Sequence, residues 1–487
     1  MTTETRAPRP RAVLLGVQLP GTDEAEHASS LAELARLGKT LGLEVVGRVS
    51  QRRARLATGA VVGEGKLAEL AGWTGGTGVV PVGPPRPRRR ATGAETEAED
   101  EGEEPEEAET PDGGGAEPGA VAAPAPGAGP RASVVLVDHD LTPSQARNLE
   151  RATGAEVLDR SAVILAIFQR HARSREARLQ VEIARLAYLA PRLRESGGGK
   201  DRQGGGIGGR GAGESTIELD RRKVRDRIAE LRAELARIER EAGTRRKRRG
   251  EHATVALVGY TNAGKSSWMR QLTGSGVLVE DKLFATLDTT VRALYPESVP
   301  RILVSDTVGF IKKLPHDLVA SFRSTLDEAR DGDLLVQVVD ASDPSFRTQM
   351  ETTEEVLAGI GATGSPRLLL LNKADRLDPG ARAELAAEFP GAALLSAREA
   401  ADVATLRERI VAHFEHGMED AELFVPYAQQ RVVGEAHACA RVLAESHEEA
   451  GTRLRVRARP EVLARLRASA APGRAGADAA SPARGSG

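Results

Sequence analysis

A glycine turn followed at once by lysine and serine is where residue types and spacing first suggest chemistry. The stretch VALVGYTNAGKSS fits the pattern G-x-x-x-x-G-K-[ST] from Gly259 to Ser266. In such a loop the glycines let the backbone curl so that its N–H groups surround phosphate oxygens, at the positive end of the following helix. Lys265 would place a charge near the β- and γ-phosphates, and Ser266 would offer a hydroxyl to Mg²⁺. With an apolar strand before it and a helix after it, the pattern predicts a nucleoside triphosphatase.

Two later motifs also follow apolar runs. The run RILVSDTVGF brings Asp306 to the end of a strand, where its carboxylate can hold Mg²⁺ through water, and the N–H of Gly309 can sense a γ-phosphate. The run RLLLLNKAD ends in the N-K-x-D pattern, Asn372 to Asp375. Asp375 can accept from the N1–H and the exocyclic amine of guanine, and adenine lacks both groups. The pattern therefore predicts a site that selects GTP over ATP.

The other residues around the base have expected roles of their own. Asn372 is expected to reach the far edge of the base, and the stem of Lys373 to cover its face. The stretch AALLSAREA places Ser396, Ala397 and Arg398 where a backbone N–H can meet guanine O6. Each pattern alone carries little weight, but four of them in this order, each after a predicted strand, indicate a GTP site.

Two features of the switch segments stay open at this point. A threonine should join the metal when the γ-phosphate is present, and Thr286, Thr289 and Thr290 are all candidates. Phe310 stands where many Ras-like GTPases place a glutamine that orients the attacking water. We therefore expect slow intrinsic hydrolysis that a partner accelerates by supplying a polar group. The alternative is that Phe310 is a core residue of the switch and has no effect on the rate.

The elements that position these motifs predict a multidomain α/β protein. Residues 253–418 repeat strand and helix, which predicts a P-loop GTPase domain with a doubly wound, mostly parallel sheet and the nucleotide at the strands' carboxyl ends. Residues 11–160 predict a nucleotide-binding-like α/β domain, with a disordered, Pro-, Gly- and acid-rich insert at 72–130. Residues 421–468 read as strand, helix, strand, helix, a small C-terminal α/β domain, and residues 469–487 as a disordered tail.

Residues 161–250 predict an antiparallel helical hairpin, a coiled coil with a glycine-rich basic tip at 195–216. Apolar residues in both helices step by four and three, and they are Leu179, Ile183, Leu186, Ala190 and Leu193, then Val224, Ile228, Leu231, Leu235 and Ile238. The tip carries Lys200, Arg202 and Arg210 among its glycines. We favour contact with nucleic acid over a plain linker for this tip.

Composition narrows the class of protein. A length of 487 residues and a hydrophobic share of 40% predict several packed domains. The single cysteine, Cys439, excludes an intramolecular disulfide framework and a cysteine-rich metal site. No apolar run approaches the roughly 20 residues of a membrane span, and the N-terminus lacks a signal-peptide core. We expect a soluble, cytoplasmic protein without a transmembrane segment.

The sequence resembles the HflX family of translation-associated GTPases. The resemblance rests on GYTNAGKSS, LFATLDTT, DTVGFIKKLPHDLVASFRSTL and NKAD, and upstream on GGGIGGRGAGE and LTPSQARNLE. It covers the chain outside the insert and the extreme ends. It implies binding to the large (50S) ribosomal subunit, through ribosomal RNA and proteins, and a part in protein synthesis, ribosome rescue or splitting, or biogenesis. The hairpin tip would approach the RNA of the peptidyl-transferase region, and the protein would act as a monomer without DNA sequence specificity.

The resemblance also singles out Thr286 of the F-A-T segment as the switch threonine. The expected catalytic residues are then Lys265, Thr286 and Gly309, the expected metal ligands Ser266 and Thr286, and the cofactors Mg²⁺ with GTP or GDP. The residues expected to bind the nucleotide are Gly259, Tyr260, Thr261, Asn262, Ala263, Gly264, Lys265, Ser266, Phe284, Ala285, Thr286, Leu287, Asp288, Asp306, Thr307, Val308, Gly309, Asn372, Lys373, Ala374, Asp375, Ser396, Ala397 and Arg398. Trp268, behind the loop, is expected to pack inside the domain.

Two other functions compete with a ribosome-bound GTPase. One is a GTP-dependent switch whose main partner is a protein, with the basic surface incidental. The other is a remodelling NTPase acting on RNA, which would need a second motor domain or an RNA-tracking motif set, and neither is visible. The basic, glycine-rich tip favours the ribosomal hypothesis.

Overall fold

The computed structural model describes residues 9–80, 131–194, 216–249, 252–274, 283–284, 290–299, 301–313 and 328–471. Most of the expected insert (81–130), the hairpin tip to residue 215, the switch residues 285–289 and the tail from 472 lie outside the described residues. The chain divides into two units, residues 1–233 with 312–321, and residues 234–311 with 322–487.

The first unit is built on a parallel sheet. Its described strands and helices alternate: β1 Arg11–Gln18, α1 Glu24–Thr40, β2 Glu44–Arg52, α2 Glu64–Thr74, β3 Val134–Val137, α3 Pro143–Thr153, β4 Glu156–Asp159 and α4 Arg160–His171. The strand order is β2-β1-β3-β4, and every neighbouring pair is parallel. This order confirms the expected N-terminal α/β fold. Local signals start its helices: at α3, the N-cap Thr142 and Gln145 form a capping box, and Pro143 is the first helical residue.

The predicted start of the disordered insert at residue 72 is wrong. Helix α2 continues through Trp73 and Thr74 and ends at Gly75, whose φ of +85° is the left-handed conformation that glycine adopts readily. Trp73 is 6% exposed and belongs to the core of this unit. A Cβ on Gly47 would lie 2.6 Å from the Trp73 ring, so this strand glycine makes room for the indole. The glycine-rich stretch around Trp73 disguised the helix end.

A buried ionic cluster lies beyond the carboxyl end of β3. Asp138 and Arg160 are almost fully buried, and Arg160 Nη1 lies 2.6 Å from Asp138 Oδ1. The Arg160 guanidinium also contacts the Glu33 carboxylate on α1. Lys313, which belongs to this unit, places Nζ 2.8 Å from Asp138 Oδ2 and 3.3 Å from Ser30 Oγ. Two cations and two anions therefore meet here: Arg160, Asp138 and Glu33 are buried, whereas the Lys313 side chain is 48% exposed.

The predicted helical pair is present, with different ends. The described helices are α5 Arg175–Leu189 and α6 Thr216–Arg249, and Arg227 on α6 bonds to Glu182 on α5. All five predicted seam residues of α6 are buried or half-buried. Leu193, predicted in the α5 seam, is 38% exposed because α5 ends earlier and a 3-10 turn follows. The sequence predicted that the hairpin begins at residue 161, within helix α4. Instead, α4 follows β4 directly and has several buried residues.

The second unit contains a mostly parallel sheet. Its described elements are β5 Ala253–Gly259, α7 Lys265–Thr273, β6 Thr290–Ala293, β7 Ile302–Asp306, β8 Leu334–Asp340, α8 Phe346–Gly359, β9 Arg367–Asn372, α9 Pro379–Glu388, β10 Ala393–Leu394 and α10 Ala400–Glu415. The order is β10-β9-β8-β5-β7-β6, and β6 alone in this sheet runs antiparallel to its neighbour. Trp268 is fully buried in its core, as predicted.

The C-terminal part of this unit contains one more strand than predicted. Its elements are β11 Glu419–Pro426, α11 Arg431–Cys439, β12 Arg441–Glu448, β13 Gly451–Ala458 and α12 Pro460–Ala470. Strands β12 and β13 form an antiparallel hairpin where the sequence suggested one strand, and β13 lies centrally between β11 and β12. The predicted tail begins too early, because α12 includes Ser469 and Ala470. Across the described residues, every helix is too short or too polar to span a membrane.

Candidate functional site

The glycine turn lies where β5 passes into α7, at the carboxyl end of the central strand. Gly259 has φ of +143° and Gly264 has φ of +102°, a region that residues with a side chain rarely adopt. A Cβ on Gly259 would lie 2.2 Å from the Val338 carbonyl oxygen, and one on Gly264 would lie 2.2 Å from Asn372 Nδ2. Both glycines are therefore required by backbone shape and by close neighbours, as a cup for phosphate oxygens needs.

The lysine of this loop is buried. Lys265 is 6% exposed, and its Nζ donates to the carbonyl oxygens of Gly259, at 3.1 Å, and Tyr260, at 2.8 Å. Burial lowers the pKa of Lys265 to about 8, although the carboxylate of Asp306 opposes the shift. Burial therefore destabilises the charged form of Lys265, and contact with negatively charged phosphate oxygens would offset this desolvation cost.

Ser266 and Asp306 come together at the start of α7. The Ser266 hydroxyl donates to Asp306 Oδ2 at 2.7 Å, and Asp306 is fully buried. Oxygen atoms from a hydroxyl and a carboxylate are the donor set that Mg²⁺ prefers. These residues fit the predicted metal site. Thr286, the other predicted ligand, lies outside the described residues.

The segment after β7 pairs with the glycine turn through backbone hydrogen bonds. Phe310 N–H donates to the Gly259 carbonyl oxygen at 3.1 Å, and Thr261 N–H donates to the Phe310 carbonyl oxygen at 2.7 Å. A Cβ on Gly309 would lie 2.9 Å from Lys265 Nζ. Gly309 therefore lies beside the lysine, as a γ-phosphate sensor should. Phe310 is 2% exposed, so its ring packs in the core of this unit.

The predicted guanine-reading residues meet at one place. Ser396 Oγ donates to Asp375 Oδ1 at 2.7 Å, and this hydrogen bond lowers the pKa of the Asp375 carboxyl group. The exposed Arg398 guanidinium lies 3.5 Å from Asp375 Oδ2. Asp375 is therefore held as a carboxylate, with one oxygen fixed by a buried serine and the other facing an exposed side chain.

Asn372 and Lys373 contact the glycine turn. Asn372 Nδ2 donates to the Ala263 carbonyl oxygen at 2.7 Å, and Ala397 N–H donates to Asn372 Oδ1 at 3.4 Å. Lys373 Nζ donates to the Asn262 carbonyl oxygen at 3.0 Å and lies 2.6 Å from Asp340 Oδ2. Asn372 was expected to reach the base, but its described contacts join the phosphate loop to the loop after β10.

The structure brings most predicted site residues to one edge of the sheet. The loop 259–266, the segment 306–309, residues 372–375 and residues 396–398 all lie at carboxyl ends of strands in this sheet or just beyond them. Phe284 is buried with φ of +57°, whereas residues 285–288 lie outside the described residues.

Sequence reasoning missed two acids near this edge. Asp340 ends β8 and pairs with Lys373, and Asp402 in the first turn of α10 accepts the Ser396 N–H at 2.7 Å. The buried run LLVQVVD, ending in an acid like the run before Asp306, could have indicated Asp340. The sequence around Asp402 contains no comparable signal.

Three family models match the chain in order. A model described as GTP-binding GTPase N-terminal matches residues 28–80 and 126–169, and one described as GTP-binding GTPase Middle Region matches residues 171–249. A model described as 50S ribosome-binding GTPase matches residues 254–373, which hold the phosphate loop and the guanine motif up to Lys373.

Curated relatives match almost the whole chain. The GTPase HflX of Gluconacetobacter diazotrophicus is 57% identical over 468 residues, 96% of this chain and 99% of that protein. The GTPase HflX of Caldanaerobacter subterraneus is 34% identical, covering 94% of this chain and 93% of that protein. A GTP-binding protein from the archaeon Sulfolobus solfataricus, solved with GDP, aligns over 82% of this chain and 97% of that one at 22% identity and a TM-score of 0.40. The last similarity is too low to bear on the site. From the two curated matches, this chain is a GTPase and belongs to the HflX family.

Proposed function

We propose that this GTPase is a switch that binds GTP with Mg²⁺ and associates with the large ribosomal subunit through RNA. The observation that carries the RNA partner is the charge of α6, which has thirteen Lys or Arg and seven Asp or Glu in a chain whose formal net charge is -2. Within its described side chains, Arg222, Lys223, Arg225, Arg232 and Arg237 are exposed. A helix of this charge suits a polyanion. The family description "50S ribosome-binding GTPase" for residues 254–373 supports the same partner.

Each residue of the site has a place in this proposal. Lys265 neutralises charge on the β- and γ-phosphates, and the Gly309 N–H senses the γ-phosphate. Ser266 and Thr286 would hold Mg²⁺, which would neutralise charge on the phosphate oxygens. Asp375 accepts from guanine, with its orientation set by Ser396.

Under this proposal, the free protein hydrolyses GTP slowly. Phe310 has no polar group with which to orient a water molecule, and the catalysis available from positioning and charge neutralisation alone is incomplete. The ribosomal partner supplies or positions the missing group. Ribosome rescue, subunit splitting and biogenesis are all roles that such a switch could serve.

Co-sedimentation with purified ribosomal subunits tests the partner. We expect pelleting with the large subunit in a non-hydrolysable GTP analogue, less in GDP, and a steep loss as salt rises, because binding through phosphates releases counterions. Reversing charge at Arg225 and Arg232 together should weaken pelleting. The same reversal at Arg382, an exposed arginine on α9, should not. Pelleting that ignores salt and the α6 reversal would favour a protein partner and contradict the proposal.

A further inference from the structure

Asp402 makes a contact that the proposed guanine-binding mechanism does not use. It is the third residue of α10, and its Oδ2 accepts the backbone N–H of Ser396 at 2.7 Å. We propose that Asp402 is a positioning residue for guanine recognition, which holds the loop 395–399 so that Ser396 can orient Asp375. This inference rests on the proposed role of Asp375 as the acceptor of guanine N–H groups.

The chain of contacts is continuous from Asp402 to the reading carboxylate. Ser396 is 1% exposed, its N–H points to Asp402, and its hydroxyl donates to Asp375 Oδ1 at 2.7 Å. A carboxylate that must accept two N–H groups of one flat base needs a defined plane. One oxygen of Asp375 is fixed by Ser396, so a rotation of the serine would turn the whole carboxylate.

Two further hydrogen bonds tie this loop to strand β9. Leu395 N–H donates to the Leu371 carbonyl oxygen at 3.0 Å, and Ala397 N–H donates to Asn372 Oδ1 at 3.4 Å. Both acceptors belong to β9. The bond from Ser396 to Asp402 ties the same loop to α10, so the loop is held between a strand and a helix.

Removing the Asp402 carboxylate would therefore do more than delete a surface charge. The Ser396 N–H would be buried without this acceptor, a state that protein structures avoid by moving the backbone. The movement would re-aim the serine hydroxyl and with it Asp375. Glu399 offers a matched control, because it caps the same helix, is exposed and makes no side-chain capping hydrogen bond.

Calorimetric titration of the full-length protein with GDP and with IDP tests the inference. Hypoxanthine in IDP lacks the exocyclic amine, so the ratio of the two affinities measures how well Asp375 receives that group. We expect Asp402→Ala to weaken GDP binding about tenfold, as loss of one satisfied buried donor allows, and to weaken IDP binding clearly less. Asp402→Asn keeps an acceptor oxygen and should restore most of the ratio, and Glu399→Ala should keep it unchanged.

A double variant asks whether Asp402 acts through Ser396. In a Ser396→Ala background, Asp402→Ala should lower the GDP/IDP ratio by less than about twofold, because the orienting hydroxyl is already gone. Equal losses for GDP and IDP in Asp402→Ala, or no loss, would overturn the inference while leaving guanine reading intact. A parent protein that binds GDP and IDP equally would overturn both this inference and the proposed role of Asp375.

Discussion

Replacing Arg160 by methionine should destabilise the first unit strongly. Arg160 is 1% exposed and contacts the carboxylates of Asp138 and Glu33, which are themselves 0% and 2% exposed. Methionine keeps much of the side-chain length but removes the guanidinium. Both carboxylates would stay buried, with Lys313 as the remaining cation described beside Asp138.

The size of the effect follows from the burial of these partners. Removing one member of a buried ion pair costs about 3–5 kcal/mol, because the partner charge stays out of water without compensation. With a urea dependence of about 3 kcal/mol per molar, the unfolding midpoint of this unit should fall by about 1–2 M.

Tryptophan fluorescence can follow this unit separately. The chain contains two tryptophans, Trp73 in the core of the first unit and Trp268 in the core of the second. In a Trp268→Phe background the emission of buried Trp73 reports unfolding of the first unit alone. Parent and Arg160→Met proteins are compared in that same background, so any cost of the Trp268 change cancels.

The penalty should also depend on pH in a defined direction. Burial raises the pKa of Asp138, but the charges of Arg160 and Lys313 outweigh it, so the net pKa lies below the ordinary 3.8. In the parent, this carboxylate therefore stabilises the fold above pH 3.8, and that stability is lost as the pH falls through the lower folded value. Without Arg160, burial has less opposition and the pKa rises. The stability difference between parent and variant should shrink when the pH is lowered from about 8 to about 5.

Arg52→Met is the matched control. Arg52 pairs with Glu24 at 3.2 Å, but the two side chains are 68% and 64% exposed, so the loss should be below about 1 kcal/mol. An Arg160→Met midpoint shift no larger than that of Arg52→Met would refute the reasoning from burial. So would a penalty that grows towards acid pH.

Three further changes test the nucleotide site. Phe310→Ala should lower the free energy of unfolding of the second unit by about 3 kcal/mol in urea titrations, because removing a fully buried ring leaves a cavity. An unchanged unfolding midpoint would contradict this. Single-turnover assays with and without large subunits show whether the rate of GTP hydrolysis changes. Gly264→Ala should weaken GDP binding more than about tenfold in calorimetry, since its Cβ would lie 2.2 Å from Asn372 Nδ2; near-parental affinity would show that the loop can adapt. Lys373→Ala should raise the GDP dissociation constant about tenfold by releasing Asp340 and the phosphate loop, and a conservative Lys373→Arg change should recover part of that loss.

Much of the second unit follows from local sequence signals. The runs before Gly259, Asp306 and Asn372 are apolar because parallel strands are buried on both faces. Each run ends where glycine or polar residues begin. Those changes mark the carboxyl ends of strands, which share one edge of the sheet. The sequence alone therefore predicts which edge of the sheet carries the candidate site.

The missed strand β12 shows where such signals fail. Its sequence, RVLAESHE, is exposed at most positions and carries charges, so apolar alternation is absent. The strand forms because it is an edge strand paired to β13, whose alternation is clear. Pairing with the adjacent strand β13 in a hairpin, rather than an apolar pattern within β12 itself, decided the structure there.

Side-chain contacts within the site were the hardest to foresee. The sequence placed Asn372 at the base, but its amide bonds to the Ala263 carbonyl oxygen, 109 positions away along the chain. Asp402 likewise reaches back to Ser396 across the start of a helix. Such contacts depend on loop conformations that the pattern of apolar residues does not specify.

These contacts indicate different roles for the residues of the N-K-x-D motif. Asn372 and Lys373 both hold backbone carbonyls of the phosphate loop, and Asn372 also receives the N–H of Ala397. Asp375 instead contacts Ser396 and Arg398, and it is the residue of the motif that we propose to read guanine. This gives a structural reason for the spacing of the motif. The residues that contact the phosphate loop and the residue proposed to read guanine follow one another at the carboxyl end of the same strand, β9. A ligand that displaces either loop must disturb the other, so we expect base and phosphate binding in this protein to be energetically coupled.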